Sequence, residues 1–219
     1  MLEHVWRRAK KSKLLNEIII ACDDQRVLTA AQSFGAQAVM TSTRHASGTD
    51  RIAEVIKNLK VSVVVNIQAD EPLIDPKVID HLAQALLKDK NYEIATVIKI
   101  LDKKEELDNP NVVKVVIDHK QNALYFSRAL IPYNRAQTKI TTYKHLGIYA
   151  YRKNFLLKFT KLPKSELENI EKLEQLRALE AGYKIKTVLT DHETIGVDTP
   201  EDLERVQKLL MYRLHQNKI

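Results

Sequence analysis

An α/β fold is what this 219-residue sequence predicts: a mixed, mostly parallel open sheet with helices on both faces and a small antiparallel lobe. Three observations lead there. Short runs rich in β-branched residues alternate with helix-period segments through the first half, the order expected of parallel strands joined by crossover helices. One such run, Val63-Val64-Val65-Asn66-Ile67, ends abruptly in Gln68-Ala69-Asp70-Glu71-Pro72, where proline stops further pairing. Strand patterns then crowd together in the middle of the chain with few helices between them, which favours antiparallel pairing.

Taken in order, Val5, Trp6 and Ala9 mark an amphipathic first helix, and Ile18-Ile19-Ile20-Ala21-Cys22 a strand. Val27, Ala30 and Ala31 sit on a helix ending near Gly35, followed by a short strand at Ala38-Val39-Met40. Ile52, Val55 and Ile56 give a further helix, leading into the strand at Val63. Asp75 caps the next helix with Pro76 at its first position. Strands are expected at Ile94 to Ile100, Val112 to Ile117, Ala123 to Phe126 and Leu146 to Tyr151. A helical pattern covers Glu168 to Ala181, and a last strand Ile185 to Leu189. Thr199, with an acid three residues on, opens a C-terminal helix whose buried stripe is expected at Val206, Leu209 and Leu210.

Composition narrows the class. The length suffices for one sizeable core, and no apolar run approaches the roughly 20 residues of a membrane span. Cys22 is the only cysteine, so an intrachain disulfide is impossible and a reducing cytoplasm is the default setting. The net charge of +7 suits an anionic ligand. Outside Arg7-Arg8, Lys10-Lys11 and Lys13 the basic residues are dispersed, and no zinc-finger or aromatic-plus-basic motif points to nucleic acid.

Five stretches carry chemistry. Asp70 and Glu71 lie just past a strand, where open α/β sheets bind ligands and where paired carboxylates would hold a hard cation such as magnesium; a turn with its acids in water is the alternative. His45-Ala46-Ser47-Gly48-Thr49-Asp50-Arg51 opens a helix, whose unpaired N–H groups suit an anion; the alternative is an ordinary cap with a surface arginine. Asp198 precedes another capped helix, either as a second metal ligand or as a complement to the helix dipole. His145, Gly147 and Tyr149 share one strand face by period two, leaving room over the glycine for a polyhydroxylated ligand. Glu174-Gln175, in a helical run, would reach hydroxyls or form a polar helix face. No triad, P-loop or dinucleotide glycine fingerprint is present, and Cys22 reads as a buried core thiol.

These stretches, with Asn109-Pro110-Asn111-Val112-Val113-Lys114-Val115-Val116, Tyr125-Phe126-Ser127-Arg128-Ala129 through Ile131-Pro132, Leu173-Glu174-Gln175-Leu176-Arg177 and Gly196-Val197-Asp198-Thr199-Pro200-Glu201-Asp202-Leu203, fall into one order. In that order the chain resembles the 3-deoxy-manno-octulosonate cytidylyltransferases, the CMP-KDO synthetases of lipopolysaccharide assembly, nearly end to end. The resemblance implies a fold like that of the nucleotide-diphospho-sugar transferases. It implies the reaction of CTP with 3-deoxy-manno-octulosonate (KDO) to give CMP-KDO and diphosphate, in the cytoplasm and usually by a homodimer, with neither nucleic acid nor membrane as partner. It gives Asp70 and Asp198 to catalysis through magnesium, and Ser47, Gly48, Thr49, Arg51 and Gln68 to the nucleotide. Gln68, His145, Tyr149, Glu174 and Gln175 fall to the sugar.

Two departures accompany the resemblance. Ala69 stands where the family usually has glycine. Family members also begin with a buried strand and a loop rich in arginine and lysine for the triphosphate, whereas this sequence opens at Met1-Leu2-Glu3-His4-Val5, which matches the family only after that loop. The expectation is therefore a single nucleotidyltransferase domain over 1–219, incomplete at its N-terminus, with bare strand edges and poor activity as it stands. A non-catalytic nucleotide- or sugar-binding paralogue is the alternative reading.

Overall fold

The computed structural model describes residues 1–192, 196–197 and 199–216, with side chains as far as residue 211. The first half alternates as its apolar pattern requires: α1 (Leu2–Ala9), β1 (Ile19–Cys22), α2 (Gln25–Ser33), β2 (Gln37–Met40), α3 (Gly48–Ile56), β3 (Val63–Asn66) and α4 (Pro76–Lys88). There follow β4 (Ile94–Ile100), a short α5 (Lys104–Leu107), β5 (Lys114–Ile117), β6 (Ala123–Ser127) and β7 (Tyr143–Arg152). The chain continues through α6 (Lys153–Phe159), α7 (Glu166–Glu171), α8 (Gln175–Glu180), β8 (Ile185–Leu189) and α9 (Pro200–Gln216).

Strands β6, β5, β7, β4 and β8 are neighbours in that order, and β3 joins the same sheet along β7. β4 pairs with β8 in parallel, whereas β7 runs antiparallel to β3, β4 and β5, and β6 antiparallel to β5. Among the described residues, β3, β4, β5 and β8 thus run one way and β6 and β7 the other. The antiparallel lobe is the β5–β6 hairpin with the start of β7. β1 and β2 pair in parallel as a separate two-stranded sheet. Among the described residues, β1 pairs only with β2 and β3 only with β7, and the apolar side chains of Ile19, Ile20, Val63 and Val64 are only half-buried.

Both faces of the larger sheet are covered. On one, Ala53 and Ile56 of α3, Phe155 and Phe159 of α6 and Leu176 of α8 pack on Ile94, Ile98 and Tyr151. On the other, Val5 and Ala9 of α1 and Ile79, Leu82 and Leu86 of α4 pack on Ala95, Val97, Ile148 and Ala150. Period-two alternation in β7 sends Leu146, Ile148 and Ala150 to the second face and leaves His145, Gly147, Tyr149 and Tyr151 on the first. Asp75 caps α4 through its side chain as expected.

Two local expectations need correction. The segment 168–181 is not one helix: it breaks at Lys172, whose φ of 55° puts it in the left-handed region. On α9, Val206 is buried and Leu210 half-buried, but Leu209 is exposed, so the stripe is narrower than expected.

Candidate active site

The candidate residues gather where β1, β2 and β3 end, against the middle of β7. Ser47 caps α3: its hydroxyl accepts from the Asp50 amide at 3.2 Å and donates to the Asp50 carboxylate at 3.0 Å. Arg51 does not reach into open solvent. Its guanidinium donates to Asp23 at 2.7 Å and to Thr41 at 2.8 Å, the residues that follow β1 and β2. Arg51 thereby ties the start of α3 to the carboxyl ends of both strands. Gly48 has open space where a side chain would stand.

Thr49 makes the long-range link. Its hydroxyl donates to Glu174 Oε2 at 2.5 Å, across 125 residues of sequence. Tyr149, which feels the charge of Glu174, stacks at 5.7 Å between ring centres on Tyr151. Tyr149 in turn lies 5.4 Å from His145, and His145 stands edge-on to Phe126 at 5.0 Å. Glu174, His145 and Tyr149 are therefore brought together with the cap of α3.

Burial sets the charge of this group. Desolvation pushes the His145 imidazole down to about 3, so at neutral pH it is an uncharged ring hydrogen-bonded with Thr96 Oγ1 at 2.9 Å. Desolvation first, then the charges of Tyr151 and Glu174, hold the Tyr149 phenol well above its usual value, so it stays protonated. Gln175 is 5% exposed, and among the described residues its Nε2 has no hydrogen-bond partner, an arrangement that a ligand oxygen would relieve.

The end of β3 borders the same group. Asn66 is the register partner of Tyr149, and Gln68 Nε2 donates to Asn66 Oδ1 at 3.4 Å. The Asp70 carbonyl accepts from the Val197 amide at 3.0 Å, which draws the Gly196-Val197 stretch to the loop after β3. Leu73 and Val206 close a small cluster there, joining α9 to that loop. Asp198 itself lies outside the described residues. Among the described residues no group of three or more His, Cys, Asp or Glu is arranged to hold a metal.

Two hubs were not singled out from sequence. Lys114, fully buried, donates to the carbonyls of Asn109, Val112 and Arg128 at 3.0, 2.7 and 2.6 Å, and burial lowers its pKa. Glu171 accepts from the Ser127 hydroxyl at 2.6 Å and the Arg128 amide at 2.9 Å. Together they staple the Asn-Pro-Asn and Ser-Arg stretches to α7. The signal available was a lysine embedded among strand valines, which a buried strand tolerates only with acceptors provided.

Comparison with known proteins places this arrangement. The Cytidylyltransferase family matches residues 1–185. A 3-deoxy-manno-octulosonate cytidylyltransferase of Solibacter usitatus (strain Ellin6076) is 51% identical over 95% of this chain and 83% of its own length. The chain belongs to the 3-deoxy-manno-octulosonate cytidylyltransferase family. A second relative of that name, from Thermodesulfovibrio yellowstonii, is 47% identical over 96% of this chain and 88% of its own. Among solved structures, a CMP:2-keto-3-deoxy-manno-octonic acid synthetase complexed with CTP matches with a TM-score of 0.93 and 41% identity, over 97% of this chain and 88% of that one. As a cytidylyltransferase of this family the chain is a nucleotidyltransferase, and no helix among its described residues is long and apolar enough to cross a membrane.

Proposed function

We propose that the chain transfers the cytidylyl group of CTP to 3-deoxy-manno-octulosonate, giving CMP-KDO and diphosphate for lipopolysaccharide biosynthesis. One observation carries the reading: the Thr49–Glu174 hydrogen bond joins the stretch given to the nucleotide to the stretch given to the sugar. In the reaction, the anomeric hydroxyl oxygen of the sugar bonds to the α-phosphorus of CTP. The bond from that phosphorus to the bridging oxygen breaks, diphosphate leaves, and the hydroxyl proton is released.

The residues divide this work by their chemistry. The first amides of α3, which lack helical acceptors, favour an anionic group beside Gly48 and Thr49. Arg51 holds that helix start against Asp23 and Thr41. Neutral His145, protonated Tyr149, Glu174 and the Gln175 amide, unpartnered among the described residues, offer donors and acceptors to sugar hydroxyls without a further positive charge. Gln68, whose amide donates to Asn66, is assigned to both the nucleotide and the sugar.

The oxygen donors after β3 fit magnesium, which keeps several waters and needs only one or two protein carboxylates. Asp70 would hold it, joined by Asp198 as the sequence suggests. When bound, the ion supplies charge neutralisation at the triphosphate and acidifies the attacking hydroxyl. A cytoplasmic setting agrees with the single cysteine. Assembly as a homodimer belongs to the same reading, supported by Leu124, Leu130, Tyr133 and Ile140, which are exposed on and after β6. Diphosphate release from CTP, measured with and without the sugar acid, tests the proposal. Asp70→Asn is expected to lower kcat about a hundredfold or more. Absence of sugar-dependent release from the wild type overturns the function; an unchanged rate in Asp70→Asn overturns the role of that carboxylate.

A further inference from the structure

Arg177 takes no part in the reaction as described, yet it is among the least exposed charged groups of the molecule. Its side chain is 8% exposed, and its guanidinium lies 4.8 Å over the ring of Phe159. Nε and Nη2 donate to the two oxygens of Glu168 at 2.7 and 2.5 Å, a bidentate fork. The same Nη2 also stands 3.6 Å from Glu174 Oε1. The other oxygen of Glu174 accepts from Thr49. One carboxylate is thus held at both ends, by a buried cation on one side and by the cap region of α3 on the other. Asp50 adds its charge to those of Glu168 and Glu174 around this single guanidinium.

The break at Lys172 makes the geometry possible. A continuous helix from 166 to 180 would carry Glu174 along its own axis. The left-handed residue instead starts α8 afresh, with Glu174 at the N-cap position and Arg177 one turn on. We infer that Arg177 is a positioning residue that, together with Thr49, fixes the carboxylate of Glu174 in the orientation the sugar acid meets. This rests on the cytidylyltransferase reading of the site. Lysine cannot replace it, because an ammonium has no rigid fork with which to serve two carboxylates in different directions.

The test compares Arg177→Lys, Thr49→Val and the double variant in the full chain, reading KM for 3-deoxy-manno-octulosonate, KM for CTP, kcat and Tm. Each single variant is expected to raise KM for the sugar acid about tenfold, the worth of one charge-assisted contact, while kcat changes less than about threefold. The double variant is expected to be no worse than the poorer single one, since both act through Glu174. A purely structural arginine would lower Tm and leave the sugar KM in place; that result, or effects that multiply in the double variant, overturns the inference. Should Arg177→Lys not fold, Glu168→Gln/Arg177→Gln replaces the ion pair by a neutral pair and spares a lone buried charge. It too must show the raised sugar KM. If the wild type releases no diphosphate, the proposed function fails instead, and calorimetric affinity for the sugar acid decides the same comparison.

Discussion

Gly147 separates the demands of folding from those of binding. It lies within β7 between His145 and Tyr149, opposite the irregularity at Thr96/Val97 where the β4 register shifts. Its backbone is outside the left-handed region, so the bulge itself does not require glycine, and a Cβ placed there meets nothing within 4 Å. Gly147→Ala should therefore fold. Alanine in a strand interior recovers about 0.5–1 kcal/mol relative to glycine, a rise in Tm of roughly 1–4 °C for a chain of this size. If the sugar acid lies over this position, the same methyl overpacks the complex by about 1–3 kcal/mol, so KM for the sugar rises roughly five- to hundredfold while KM for CTP holds. Calorimetric melting and steady-state kinetics on Gly147→Ala and Gly147→Val make the comparison. An unchanged sugar KM in the valine variant refutes the placement of the sugar on this face, and a collapse in Tm refutes the claim that the space is free.

Other consequences follow from the charges. His145 is neutral in the fold with its pKa at about 3, so its contribution to stability is complete above its unfolded value of roughly 6.5 and is lost as pH falls from there toward 3. NMR of the ring should show no titration between pH 5 and 8; a midpoint in that range contradicts its burial. Asp80 accepts from the Ser12 hydroxyl at 2.5 Å and from the Lys13 and Leu14 amides at 3.0 Å, and although desolvation opposes its charge these bonds hold its pKa below the usual value. Asp80→Ala should cost about 1–3 kcal/mol at pH 7 by urea unfolding, with the difference shrinking below roughly pH 4 as the wild-type carboxylate protonates; equal stability at pH 7 refutes the role. Cys22 is 4% exposed, with Sγ 3.6 Å from the Val39 carbonyl, so a thiol reagent should label it only on unfolding; fast labelling of the native chain counts against that burial.

Much of this was legible in the sequence because the signals were local. Ile94–Ile100 and Ile185–Leu189 are rich in β-branched residues, and both strands have the bounds their sequences suggest. The period-two reading of His145, Gly147 and Tyr149 holds because a strand's side chains can face only two ways. The break at Lys172 was not legible, since nothing in Glu171-Lys172-Leu173 interrupts a helical pattern; the left-handed turn is imposed by the tertiary contacts of Glu171, Glu174 and Arg177. The partners of Arg51 were equally hidden, because Asp23 and Thr41 reach it only when β1 and β2 pair and α3 folds across their ends. Lys114 shows the same limit: its charge argued for the surface, and only the closure of the 109–112 loop over it supplies the carbonyls that make burial tolerable.

The most direct measurement is phosphorus NMR of the full chain incubated with CTP, 3-deoxy-manno-octulosonate and magnesium. Equal growth of a sugar-linked phosphodiester signal and of diphosphate, each requiring both substrates, is the predicted result. Phosphorus spectra that stay unchanged in the presence of folded protein, or CTP breakdown that proceeds without the sugar acid, would contradict the account.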